Sequence, residues 1–184
     1  MAWISEGLAL LAESGVDAVR VERLADRMGT SKVSFYWHFK DRPDFLASVL
    51  STWQYQTRLN MPDRPAPPSR DRLRRLLDLP TLGDCAAYGA SVELAIRLWA
   101  RGDALARQAV ADIDAQRLAY IEQFISSSMA DVTDTGARAY LMYGHIMAEA
   151  FIVGPRPQPD RATCETILVT PPLMPANVSG RKSA

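Results

Sequence analysis

VERLADRMGTSKVSFYWHFK, residues Val21 to Lys40, spells two short helices joined by a tight turn. In the first half Val21, Leu24, Ala25 and Met28 fall at i, i+3, i+4 and i+7, and so share one helical face. Gly29 supplies the residue that accepts positive φ where the chain must turn. Thr30 or Ser31 then caps the next helix, since a hydroxyl there accepts a bond from an otherwise unpaired N–H. That second helix, Lys32 to Phe39, sets Phe35 and Phe39 four apart, facing inward. Lys32, Val33, Ser34, Tyr36, Trp37 and His38 fill its other faces. This is the layout of a helix-turn-helix whose second helix enters a major groove.

Outward from this stretch the chain reads as helix upon helix. Helix 1 is expected over Ala2 to Ser14, ending at Gly15, with Ile4, Leu8, Leu11 and Ala12 as its buried stripe. Asp41 caps a helix running to about Asn60, with Pro43 tolerated in its first turn and Phe45, Leu46, Val49, Leu50 and Trp53 inward. Of twelve prolines, five lie in Pro62 to Pro80 and six in Pro155 to Pro175. The first cluster marks a linker, and the second opens an irregular tail in which Ile167 to Val169 is the one stretch fit to dock. Between them a short basic helix is expected over Arg70 to Leu79, and a longer one over Asp84 to Arg101 with Val92, Ile96 and Trp99 at helical spacing. Gly102 breaks that helix, and Asp103 caps the next, which runs to about Ser128. After a polar turn at Asp131 to Asp134, Thr135 to Val153 is the last strong helix.

The fold class that follows is all-α: a three-helix helix-turn-helix domain over residues 1–54, a helical domain over 55–154, and a Pro-rich irregular tail over 155–184. With 48% apolar residues the composition is globular, and no apolar run approaches the ~20 residues needed to span a bilayer. The acidic, amphipathic N-terminus is not that of a signal peptide, and Cys85 and Cys164 are isolated; both point to a reduced cytoplasm. A net charge of zero does not announce a nucleic-acid binder. From Ala18 to Lys40, however, Arg20, Arg23, Arg27, Lys32 and Lys40 stand against Glu22 and Asp26, a local basic excess able to meet phosphates.

The run SKVSFYWHFKDRPDFL resembles the recognition helix and following helix of the TetR family of transcriptional regulators, with Tyr36, Trp37, His38, Phe39 and Lys40 as the closest matches. The resemblance covers about the first third of the chain. It implies that Lys32, Val33 and Trp37 face base edges while Tyr36, His38 and Lys40 contact phosphates. The side chains suit those roles: Val33 and Trp37 match thymine methyls, Lys32 matches guanine acceptors, and Tyr36 and Lys40 fix register without reading sequence. Ser34 belongs to the same surface, and Arg42 stands within reach of the DNA backbone. Two residues depart from the family pattern. Val33 occupies a position that is often Gly, and its branched side chain holds the backbone further from the groove floor. Val21 replaces a Thr or Ser that bonds a phosphate, which leaves that contact to the backbone N–H, Arg20 or Arg23. Family members also usually carry a basic stretch ahead of helix 1, which here starts close to Met1.

The resemblance further implies a small-molecule effector, a homodimer on double-stranded operator DNA, and ligand-released repression. Trp53, Tyr88, Trp99, Tyr120 and His145 are the candidates for lining an effector pocket, with Tyr143 beside them and Glu93 or Glu149 adding polarity, although each taken singly is more readily a core aromatic or surface carboxylate. Glu93 and Arg97 form an i, i+4 pair that supports its helix. Tyr140, Leu141, Gly144, Ala148 and Phe151 make a close-packing seam on the last helix, suited to two-fold pairing. No Gly-rich phosphate loop, HExxH, CxxC or Gly-x-Ser-x-Gly elbow is present, so neither an enzyme nor a cofactor or metal site is expected. The alternative reading is an effector-free DNA-binding or partner-binding helical protein.

Overall fold

A computed structural model describes residues 2–59, 83–128, 134–151 and 163. Every element among these is helical. The order is α1 (Ala2–Ser14), a single 3-10 turn (Val16–Ala18), α2 (Val21–Arg27), α3 (Lys32–Tyr36), α4 (Arg42–Leu59), α5 (Gly83–Trp99), α6 (Ala104–Ser128) and α7 (Thr135–Phe151). The helix expected over Arg70 to Leu79, the polar turn at Asp131 and the Pro-rich tail lie outside the described residues.

Local chemistry sets the boundaries. Gly15 and Gly29 both adopt positive φ, 76° and 61°, where α1 and α2 end. At Gly29 the backbone makes the paired closure of a Schellman turn: Thr30 N–H donates to the Ala25 carbonyl at 2.9 Å and Gly29 N–H to the Asp26 carbonyl at 3.2 Å. A side chain with a Cβ would strain that left-handed position. Ser31 caps α3 by accepting from Ser34 N–H, and Asp103 caps α6 by accepting from Ala106 N–H at 2.9 Å. Asp41 accepts from Asp44 N–H at 2.9 Å, while the Asp44 carboxylate reaches back to Lys40 N–H at 3.0 Å, so two orphan donors at the start of α4 are met reciprocally.

The first five elements close around Phe35. They do not form a separate core. One continuous cluster runs from Trp3, Leu10 and Leu11 through Phe35, Phe45, Val49 and Trp53 to Val92, Ile96, Trp99, Ala106 and Ile113. The helix-turn-helix is therefore fused to the rest of the bundle through α1 against α5 and α4 against α6. Two polar ties reinforce the second contact: Gln54 donates to the Ala109 carbonyl at 3.2 Å, and Arg58 to Gln116 at 3.0 Å. A second cluster, Ile121, Phe124, Ile125, Ala139, Met142 and Tyr143, joins α6 to α7.

The buried set of α1 differs from the single stripe expected. Trp3, Gly7, Leu8, Leu10 and Leu11 are buried, whereas Ile4 and Ala12 are only half-buried. The helix is sandwiched between α2 and α4 on one side and α5 on the other, so its apolar arc is wider than one stripe. Gly7 sits where α1 meets α4: a Cβ there would stand 2.6 Å from Phe45 Cζ, inside a ring that is 1% exposed. Alanine at this helical position gains up to ~1 kcal/mol of propensity, but forcing a buried ring aside costs ~1–3 kcal/mol. Gly7→Ala is expected to lower the urea midpoint. A midpoint equal to or above the parent's would show that Phe45 yields freely.

Candidate nucleic-acid interface

Phe35 organises the interface. Its side chain is fully buried, with the rings of Trp3, Tyr36, Phe39 and Phe45 at centroid distances of 5.2–5.4 Å, three of them edge-on. Phe39 in turn stands edge-on to Phe45 at 4.9 Å. Such offset ring pairs are favourable beyond their buried area. They fix α3 against α1 and α4 by one face. Regular α-helix ends at Tyr36, three residues short of the sequence expectation, but Phe39 N–H still donates to the Phe35 carbonyl at 3.0 Å, so Phe39 keeps its helical register and its inward aim.

The opposite face is open. Val33, Tyr36 and Trp37 are 61%, 56% and 80% exposed, an unusual concentration of large apolar groups on one short helix. Lys32, His38 and Lys40 are exposed beside them, and Ser34 is half-buried behind its cap. Six of the nine residues expected to touch DNA are thus exposed on α3 or just beyond it, and Arg20 is exposed at the start of α2 with its Nε donating to the Asp17 carbonyl at 3.1 Å. Arg42 is placed differently. Its guanidinium turns inward and donates to the Val19 and Val16 carbonyls, both at 2.7 Å, bracing the start of α4 against the 3-10 turn.

The charges are also less simple than their count. Arg27 points to α1, where Glu6 and Glu13 hold it by paired hydrogen bonds that keep its guanidinium firmly protonated. Arg23 donates to Ser14 Oγ at 3.3 Å. Lys32 is bound at 2.9 Å by Glu22, a contact that raises the ammonium's pKa and lowers the carboxylate's.

The five residues expected around a pocket are placed in different surroundings. Trp53 and Trp99 are buried in the continuous core, whereas Tyr120 packs against the α6–α7 cluster. Tyr88 is exposed, its hydroxyl pKa raised by partial burial and then by Glu6 and Glu13 of α1. His145 is half-buried on α7. What the sequence did not reveal is a polar cluster linking α5, α6 and α7. Arg117 grips Glu93 with both terminal nitrogens, at 2.8 and 3.0 Å. Arg97 donates to Glu93 at 3.0 Å and to Asp114 at 3.0 Å. The Tyr143 hydroxyl accepts from Arg97 at 2.9 Å and donates to Asp114. Burial works against the charge on Asp114, but the bonds from Arg97 and Tyr143 outweigh it and lower that carboxyl's pKa. Burial and the bond to Asp114 together push the Tyr143 hydroxyl's pKa up. Among the described residues no helix is long and apolar enough to cross a membrane, and no group of three His, Cys, Asp or Glu side chains is arranged to hold a metal.

Residues 4–49, spanning α1 to the middle of α4, match the profile of the tetR family of bacterial regulatory proteins. No curated protein matches the sequence. Several solved structures share the fold at low identity. A Saccharomonospora viridis protein, assigned as a transcriptional regulator and solved in complex with choline, superposes with a TM-score of 0.69 at 18% identity, covering 91% of each chain. A transcriptional regulator from Rhodococcus sp. Rha1 gives 0.63 at 20% identity over 81% of this chain and 80% of its own. The Bacillus subtilis regulator FadR, in complex with stearoyl-CoA, gives 0.58 at 15% identity over 92% and 95%. Residues 4–49 thus match the tetR family of bacterial regulatory proteins across the helix-turn-helix, and the chain as a whole shares the fold of these solved structures.

Proposed function

We propose that the protein is a homodimeric repressor, released from its operator by a small molecule, with residues 1–54 reading DNA and 55–154 sensing and pairing. The observation that carries the DNA reading is the sorting of α3: Phe35 is buried among four rings, while Val33 and Trp37 stand open to solvent. Lys32, Val33 and Trp37 read base edges in this proposal. Ser34, Tyr36, His38, Lys40 and Arg20 hold phosphates, and Arg42 braces the domain from within. The core shared by α1, α4, α5 and α6 supports coupling, because a ligand that shifts α6 must carry α4 and hence α3 with it. Such a ligand acts only by preferring the non-binding arrangement. Choline and stearoyl-CoA, held by two of the fold neighbours, show that this fold accommodates small ligands of very different size; neither is thereby this protein's effector. Pairing is supported by α7, where Tyr140 and Leu141 are 69% and 61% exposed and continue into exposed Gly144 and Ala148. The side chain of Phe151, expected in the same seam, lies outside the described residues.

The test is fluorescence anisotropy on DNA from beside the gene against scrambled DNA over a salt series. Trp37→Ala is expected to weaken selective binding by roughly tenfold or more, and Lys32→Ala to relax base preference at one position. Parent-like binding by both variants would refute the recognition-helix assignment. Thermal shifts with a metabolite library then seek the effector, since a true ligand stabilises the fold by mass action. A screen in which no ligand both stabilises the protein and lowers operator affinity would count against ligand release.

A further inference from the structure

We propose that Glu22 is a specificity-determining residue: by binding Lys32 across the turn, its carboxylate turns a generic phosphate-seeking cation into a reader of base edges. The inference rests on the recognition-helix reading above.

Lys32 opens α3, the end of a recognition helix that meets base edges. A lysine there is a compact charge with three donors on a flexible stem, and it is drawn as readily to any phosphate as to a guanine acceptor. Glu22 changes that choice. It lies in the first turn of α2, and its Oε1 accepts from Lys32 Nζ at 2.9 Å. Both side chains remain more than half exposed, 59% and 56%, so the pair stands on the open surface beside Val33 and Trp37 and is not part of the fold's interior. Asp26, one turn along the same exposed face of α2, adds its field to Lys32.

Three consequences follow. One of the three ammonium protons is engaged, which fixes where the other two point. The net charge of the pair is zero, so a passing phosphate gains little from it. A carboxylate on α2, the helix that crosses the sugar–phosphate backbone, also repels every DNA alike. A guanine presenting O6 and N7 takes both remaining protons without breaking the internal bond, whereas a phosphate meets a pair of zero net charge with a repelling carboxylate beside it. Glu22 thus penalises non-specific binding more than specific binding, which is how discrimination is raised without adding a favourable contact.

The experiment uses the full-length protein with DNA selected by it from a random library and the same DNA scrambled. Glu22→Gln keeps the shape and removes the charge. Affinity for scrambled DNA is expected to rise roughly threefold to tenfold, affinity for selected DNA to change less, and the selectivity ratio to fall accordingly. In a Lys32→Ala background the same substitution is expected to shift both DNAs alike and leave the ratio in place, because no tether remains to lose. An unchanged ratio in Glu22→Gln overturns the inference, as does a ratio change that persists without Lys32. Trp37→Ala separates the two levels of argument: if it abolishes selectivity while Glu22→Gln leaves it intact, the recognition helix stands and the tether falls. A parent with no preference for its selected DNA sinks both.

Discussion

Phe35→Ala is expected to destabilise the protein by about 3–5 kcal/mol, the range for truncating a fully buried phenylalanine. Domains of this size are stable by about 5–15 kcal/mol in total, so one substitution removes a large share. The ring has no exposed surface and stands at the centre of Trp3, Tyr36, Phe39 and Phe45. Phe39 and Phe45 cannot move into the space without loosening their contact with each other, and α1 passes over Phe45 at Gly7. Phe35→Leu, which keeps most of the volume, is expected to cost only about 1–2 kcal/mol. Equilibrium urea unfolding checks both, with a lowered midpoint at constant slope. Because the cluster containing Phe35 is continuous with Val92, Ile96 and Trp99, the loss is expected in one cooperative transition, whether followed by helix signal or by tryptophan fluorescence. An Ala variant with the parent's midpoint would show that the aromatic cage does not anchor α3.

The same ring marks where sequence reading succeeds. Capping and turning are local, so Ser31, Asp41, Asp103 and the positive-φ glycines could be placed from a few neighbouring residues. Helical spacing likewise found the buried faces of α4 and α5, because each of those helices offers one dominant apolar arc. It failed on α1, which packs on two sides and buries Trp3 and Leu10 beyond the stripe. Local charge counting assigned Arg27 to the DNA side, yet its partners Glu6 and Glu13 lie 21 and 14 residues earlier on another helix. Arg42 misled for the same reason, since its acceptors are backbone carbonyls 23 and 26 residues away. Aromatic residues in the bundle were read as pocket candidates because side-chain type alone does not separate core from lining. Only tertiary packing sends Trp53 and Trp99 inward and leaves Tyr88 beside α1.

The polar cluster of α5, α6 and α7 illustrates this limit most clearly and carries the other large expected effect. In sequence only Glu93 and Arg97 are visibly paired; Asp114, Arg117 and Tyr143 lie 17 to 46 residues from the group each meets. The one available signal was Asp114 following buried Ile113 in a helix whose inner face is otherwise apolar. Glu93 is the hub, 6% exposed, and accepts from two arginines. Removing it leaves two guanidinium groups, only about a fifth exposed, with Asp114 as their remaining carboxylate. Breaking one side of a buried ion pair costs about 3–5 kcal/mol, and partial solvent access reduces that here to roughly 2–4 kcal/mol for Glu93→Ala. Glu93→Met with Arg117→Met is expected to recover much of the loss, because removing both charges avoids stranding either. If the double variant is no better than the sum of the singles, the pair is not coupled. Acid acts on the same cluster through Asp114. Its pKa is lowered in the folded state, so its stabilisation is fully present above the ordinary carboxylate range and is lost as pH falls through the depressed value. Asp114→Asn should therefore flatten the decline of melting temperature at the acid end while lowering the plateau at neutral pH. A variant that lowers the plateau but keeps the parent's acid slope would assign that slope to other carboxylates. The cluster ties α6 to α5 and α7, and Gln54 and Arg58 tie α4 to α6, so loosening it frees the helix through which the bundle holds α4 and the helix-turn-helix.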